Sequence, residues 1–301
     1  MEFRNIVIAR PARLSIKRSQ LCIAQEEEVL IPLEDICTLM VESRQVLLSA
    51  AALETLATAG VTVFFCDSRH LPSAQLLPVS QFHRKKKLLF AQFQLGKPLQ
   101  KQLWQAIVRQ KIRNQASCLR LLGREGADVL EELALAVRSG DSGNTEAVAA
   151  AFYFPKLFGP GFTRGEDCLE NAALNYGYAI LRGSLARNLV LHGLEPAIGL
   201  HHCSQLNQFN LADDLLEPYR PLVDLFVGSV DWDALEEEEL TPLLKRRLFN
   251  LTNYLVLQAG KKLRVMTSAD RATASLAAAM VEGENRLELP ALLPLEEGRY
   301  E

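Results

Sequence analysis

The first eighty residues carry short apolar runs with frequent punctuation. NIVIAR at 5–10, RLSIKR at 13–18, QLCIA at 20–24, VLIPL at 29–33 and ICTLMV at 36–41 alternate or cluster β-branched residues, which predicts strands. Ser49 stands where an N-cap belongs before AAALETLATA, and Gly60 closes that run, so a helix is expected between them. VTVFFC at 61–66 reads as a buried strand, and a last strand is expected at AQLLPV, 74–79.

After Pro78 the period becomes helical. Apolar residues recur at helical spacing from about His83 to Arg138, in KLLFAQFQL and, after Pro98, in LQKQLWQAIVRQKIRNQASCLRLLG. RSGDSGN at 138–144 reads as a loop, and TEAVAAAFYFPKLFG as a helix that ends or kinks around Pro155. GPGFTRGED at 159–167 is a loop without the lysine-terminated phosphate-binding pattern. A long helix is expected from Asp167 to His192. Its small residues, Gly177 and Gly183 among them, let a neighbour approach closely, and Gly193 suits its C′ position. Further helices are expected near 206–216, 240–258 and 269–282, with a partly mobile Leu- and Pro-rich tail from Asn285. The fold class is therefore α+β: a small β-rich N-terminal domain, residues 1–80, followed by a large all-helical domain, residues 81–301.

Composition narrows the setting. The chain has 301 residues, 49% of them hydrophobic, enough for one large core or two smaller ones. The N-terminal stretch does not match a secretory signal and no apolar run is long enough to span a bilayer, so no membrane role and a cytoplasmic location are expected. Six cysteines are scattered without a C-x-x-C pair, which reads as reduced, buried thiols. Cys203 beside His202 is a candidate ligand or nucleophile, with plain packing as the alternative. The formal net charge of −3 excludes a global basic coat, so any DNA must meet local basic surfaces. Candidates are HRKKK at 83–87 (Arg84, Lys85, Lys86 and Lys87), Lys101 with Arg109, Lys111 and Arg113, KRR at 245–247, and KKLR at 261–264. Each, taken singly, also reads as a solvated face.

Candidate chemistry concentrates in AIGLHHCSQLNQFNLADDLLEPYR, residues 197–220. His201 and His202 precede a helical segment bearing Asp213, Asp214 and Glu217. Asp214 and Glu217 are three apart and share a helix side, as do Asp213 and Glu217 at a spacing of four. The amides between His202 and Glu217 suggest a hydrated site, although a lone histidine after an apolar run is also a common core residue. Glu146, at the start of a helix otherwise made of Ala, Val, Phe and Tyr, is either a partner of that site or a first-turn residue complementing the helix dipole. Carboxylates with an imidazole suit Mg²⁺ or Mn²⁺, which could orient a scissile phosphate.

The blocks AIGLHH, NQFNLADDLLEPYRPLVD and LENAALNYGYAILRG, with RLSIKRSQLCI and LPVSQFHRKKK upstream, resemble the Cas1 family over nearly the whole chain. This is the endonuclease and integrase of CRISPR spacer acquisition, here in its type II form. The resemblance implies a catalytic helical domain and metal ligands at Glu146, His202 (in the G-x-x-H element that Gly199 starts) and Glu217, with Asp214 at an additional acidic position. It implies integration of short duplex DNA into a CRISPR array, by attack of a 3′-hydroxyl on phosphodiesters at the leader–repeat boundary. It also implies a homodimer, for which the N-terminal domain is the expected surface, assembled with the smaller partner Cas2 into a heterohexamer-like complex. The basic run at 84–87 would then contact DNA backbone. Two other readings use the same residues: a stand-alone structure-selective metal nuclease, and a non-catalytic DNA-binding scaffold whose acidic residues merely pair with Arg220.

Overall fold

The computed structural model describes residues 4–68, 70–78, 85–232 and 239–298. The chain divides into two compact units, Met1–His83 with Arg299–Glu301, and Arg84–Gly298.

The first unit holds two four-stranded sheets. In one, β1 (Arg4–Ile8), β5 (Ile36–Val41) and β7 (Thr62–Cys66) run parallel, and β8 (Pro72–Leu76) pairs antiparallel with β7. In the other, β2 (Arg13–Lys17), β3 (Gln20–Ala24) and β4 (Glu28–Pro32) form an antiparallel meander, with the short β6 (Leu47–Leu48) parallel to β2. Arg18 and Ser19 both take positive φ, which the two-residue turn between β2 and β3 requires. Leu14, Leu21, Ile23 and Ile31 from the meander meet Leu39, Val41 and Val63 of the parallel sheet in one core, sealed by Leu56 of α1 (Ala50–Thr58). Ser49 caps α1, its hydroxyl accepting from the Ala52 amide at 3.1 Å.

The second unit is built around α3 (Lys97–Leu121), which follows α2 (Lys85–Phe93) after a break at Gly96–Pro98. The buried face of α3 runs through Leu103, Trp104, Ile107, Val108, Ile112 and Leu119. It packs against α4 (Ala127–Ala136), α5 (Thr145–Phe158) and α8 (Arg220–Gly228). Helix α6 (Leu169–Leu191) is buried nearly all round, and a Cβ at Gly177 would come within 2.5 Å of the Val223 side chain of α8. The small residue is what permits that crossing. Gly193, at φ +76°, ends α6 as expected. Helix α7 (Asn210–Leu216) and a 3-10 turn, Glu217–Tyr219, lead into α8.

Several expectations need correction. The second unit is not all-helical: β9 (Tyr254–Gln258), β10 (Lys261–Arg264) and β11 (Ala291–Glu297) form an antiparallel sheet in the order β10-β9-β11. The helix expected over 240–258 stops early, as α9 (Pro242–Asn250), because Ala259 and Gly260 take positive φ and fold YLVLQ and KKLR into a hairpin. An apolar run of that length fits strand and helix alike. The tail is structured at 291–297. It is β11, and the Leu292 amide donates to Asn114 of α3 at 3.1 Å. Helix α5 passes Pro155 and ends at Gly159, φ +107°. Helix α10 (Val265–Glu282) begins four residues before the expected start.

Candidate active site

Each acidic residue of the site is placed by a different local device. Glu146 lies in the first turn of α5. Asp141, in the loop before it, accepts from the amides of Thr145 at 2.8 Å and Glu146 at 3.0 Å. That carboxylate satisfies two of the helix's orphan donors and complements its dipole. Glu217 is fixed through its neighbour Pro218, whose carbonyl accepts from the Asn114 amide of α3 at 2.6 Å.

Glu146 and Glu217 converge on one cation. The Lys111 ammonium of α3 bonds Glu146 Oε1 at 2.6 Å and also contacts Glu217 Oε2. On the other side of Glu217, Arg220 Nε donates to Oε1 at 2.9 Å, with its guanidinium 4.5 Å over the Tyr178 ring. The Glu217 side chain is only 4% exposed. Burial disfavours its charge, but Arg220 and then Lys111 outweigh burial and hold the carboxyl well below the usual carboxylate range. Burial likewise opposes the charge of Lys111, and Glu217 and Glu146 reverse that, raising its pKa. The four groups sum to zero charge.

His202 belongs to a separate, tightly bonded loop. The buried Asp214 carboxylate accepts from the amides of Leu200, His201 and His202, and from His202 Nδ1 at 2.7 Å. With Nδ1 so engaged, Nε2 is the ring nitrogen left for other work. The Asp214 hydrogen bond, against desolvation, raises the His202 pKa, helped by the charges of Asp214, Glu217 and Asp213. Gly199 has no room for a side chain: a Cβ would lie 2.3 Å from the His202 carbonyl and 2.8 Å from Asp214 Oδ2. This is the steric reason for glycine in G-x-x-H. The loop is further clamped by Gln92, which donates to the carbonyls of Glu195 and Ile198, and by His201, stacked on Trp104 with centroids 4.3 Å apart.

Among the expected ligands, Glu146 and Glu217 thus share a centre, and His202 is near enough to feel the Glu217 charge. Asp214 also holds the loop, its two oxygens accepting from the Leu200, His201 and His202 amides and from His202 Nδ1. Among the described residues, no three His, Cys, Asp or Glu side chains stand close enough to hold an ion as placed. Lys111 fills the position between the two glutamates. Displacing it would leave two hard oxygen donors from separate elements, which fits Mg²⁺ or Mn²⁺. Lys85, Lys86 and Lys87 are exposed on the first turn of α2, while Arg84 lies outside the described residues.

Lys111, Gln115, Arg164, Glu217 and Arg220 face a cleft of about 180 Å³. Arg220 also lines a neighbouring cleft of about 300 Å³ with Arg182 and Asp213. Asp224, at the floor of the smaller cleft, accepts from Tyr153 at 3.1 Å and from Tyr178. Burial raises its pKa to about 6, despite those hydroxyls and the nearby arginines. Lys111, Asp141, Asn114 and Gln115 were all missed in the sequence as site-builders. Only Asp141, four residues before Thr145 in a helix-start context, carried a local signal.

Comparison with known proteins identifies the family. The family model described as CRISPR associated protein Cas1 matches residues 6–151 and 164–240. The CRISPR-associated endonuclease Cas1 of Neisseria meningitidis serogroup C (strain 8013) is 44% identical over 304 residues, covering 100% of both chains. Two solved structures share the fold. One is a casposase bound to integration product, with TM-score 0.76, 19% identity, and 95% of this chain and 92% of that chain covered. The other is a Cas6-RT-Cas1–Cas2 complex, with TM-score 0.71, 18% identity, and 95% of this chain and 36% of that chain covered. A family model that matches most of the chain, with a relative 44% identical along its whole length, makes the chain a member of the Cas1 family.

Proposed function

We propose that this chain is a metal-dependent DNA endonuclease and integrase that inserts short duplex DNA into a CRISPR array. The observation that carries the reading is the convergence of Glu146 and Glu217 on one cationic centre, with a histidine that feels the Glu217 charge and is held through Nδ1. Family membership, a full-length relative named as an endonuclease and the casposase fold support it.

Glu146, Glu217 and His202 Nε2 would hold Mg²⁺ or Mn²⁺, which when bound supplies Lewis-acid stabilisation of charge building on a phosphate. Asp214 keeps the His202 ring turned toward that position. Arg220 and Arg164, across the cleft, draw phosphate oxygens. The 3′-hydroxyl of the incoming duplex attacks phosphorus at the leader–repeat boundary. A new P–O bond forms as the old O3′–P bond breaks; the attacking hydroxyl loses its proton and the departing oxygen gains one. One phosphodiester replaces another, so no nucleoside triphosphate is consumed. Duplex DNA, Cas2 and a second copy of the chain, paired through the β-rich unit, complete the proposed assembly. Lys85, Lys86 and Lys87, with Arg84, are assigned to DNA backbone. No helix among the described residues is long and apolar enough to cross a membrane. None of the six cysteines forms a disulfide, and a cytoplasmic setting is part of the proposal.

The scaffold reading has one observation in its favour: Glu217 is already paired with Arg220 and Lys111. The test is an integration assay with labelled duplex, a supercoiled repeat-bearing plasmid and Cas2, with Mn²⁺, Mg²⁺ or EDTA. Joined product that disappears with EDTA and with Glu146→Gln is expected. Cleavage without joining points to the stand-alone nuclease, and joining that survives EDTA refutes the metal role.

A further inference from the structure

Among the described residues, Lys111 is the one that pairs with both glutamates of the site, and its surroundings give it a second place to go. It stands between Glu146 and Glu217, where a divalent ion would have to enter. One helical turn along α3, Gln115 faces the same cleft. Gln115 is 1% exposed and its Oε1 has no hydrogen-bond partner, the costly condition for a buried acceptor. Residues four apart on a helix are neighbours, so the Lys111 ammonium can reach that oxygen by a change of rotamer. The cleft of about 180 Å³ gives it room to move.

We infer that Lys111 is a two-position residue: an internal counter-cation between Glu146 and Glu217 that withdraws to Gln115 Oε1 when a divalent ion enters, and so links ion binding to DNA binding. The link follows from charge. With Lys111 in place the four-group cluster is neutral. A divalent ion raises the total to +2, and the withdrawn ammonium joins Arg164 and Arg220 in the cleft. That excess is unfavourable until an anion arrives, and a DNA phosphate is the anion the cleft suits. The free protein therefore binds the ion weakly and the DNA-bound protein binds it well, with the reciprocal effect on DNA.

The inference rests on Glu146 and Glu217 as ion ligands, and the experiment separates the two ideas. Mn²⁺ affinity is measured by calorimetry on the free protein and on protein saturated with a short duplex ending in 3′-dideoxynucleotides, corrected for Mn²⁺ taken up by the duplex alone. For the natural chain the duplex should tighten Mn²⁺ binding about tenfold or more, within the usual range of coupling between two sites. In Lys111→Met the free protein should gain about tenfold in Mn²⁺ affinity, and the duplex should add little more. Lys111→Gln, which keeps an amide to bond the glutamates, should behave the same way and serves if the methionine variant fails to fold. Gln115→Leu removes the second acceptor and should weaken Mn²⁺ binding to the free protein. Equal Mn²⁺ affinities in the natural chain and both Lys111 variants, or no effect of duplex on the natural chain, would overturn the two-position lysine alone. No Mn²⁺ binding to the natural chain in either state would overturn the ligand assignment as well.

Discussion

Asp214 and Glu217 lie three residues apart and are both buried carboxylates, yet they are held in opposite ways. Asp214 takes three backbone amides, which cannot leave without unfolding the loop, and the His202 ring. Glu217 takes two long cationic side chains, Lys111 and Arg220, which can swing. The first arrangement is a fixed clamp, and the second an ion cluster whose members can be exchanged for an incoming charge. A site with the proposed function, binding and releasing a polyanion, would need both: a frame that does not move and a set of charges that does.

The largest effect is expected from the clamp. Asp214→Ala leaves three amides and an imidazole without their acceptor and should cost about 3–5 kcal/mol, read as a lowered denaturant midpoint. No second substitution should restore it. Gly199→Ala attacks the same loop by sterics and should cost about 1–3 kcal/mol. Glu217→Ala should cost a similar amount, about 1–3 kcal/mol, because Lys111 keeps Glu146 and Arg220 keeps the Tyr178 face. Here rescue is expected: adding Lys111→Met should recover part of the loss in a double-mutant cycle. A Glu217→Ala variant that cannot be rescued, beside an Asp214→Ala variant that can, would invert the comparison.

Asp224 sharpens it with a third kind of partner, neutral hydroxyls. Burial lifts its pKa in the folded protein to about 6, above the 3.8 of an ordinary aspartate. Its relative contribution to stability is therefore full below about pH 4 and is lost as pH rises through 6. Asp224→Asn should remove a decline of about 1–2 kcal/mol across that window, seen in melting temperatures taken from pH 4 to 7. The smallest change in stability is expected for Lys85, Lys86 and Lys87 mutated together to alanine, within about 0.5 kcal/mol. The same variant should bind duplex DNA more weakly, with a shallower dependence on salt.

The strands of the first unit, the cap at Ser49 and the close-packed α6 were legible because each is written in local period, capping chemistry or small-residue spacing. Glu146, His202 and Glu217 could be singled out from the family-like blocks. What no local pattern shows is which charges fill the space between them. Lys111 was read as one member of a basic helix face, because a lysine buried between two carboxylates has the same sequence signature as one in water. The expected helix takes in β9 because YLVL is an apolar run, and only the turn at Ala259–Gly260 decides between strand and helix. The spacing of Asp214 gives a helix side and says nothing of the amides that bond it.

The strand at 291–297 turns the end of the chain into a strut for the chemistry. Asn114 gives one amide hydrogen to Pro218, next to Glu217, and another to the Pro290 carbonyl, while its own oxygen receives the Leu292 amide. One asparagine thus fastens the last strand and the residue beside Glu217 to the same turn of α3. A chain cut before residue 290 would keep every side chain that reads as catalytic and still lose part of the scaffolding that aims Glu217, so a tag belongs beyond residue 298, with a spacer that leaves this strand docked.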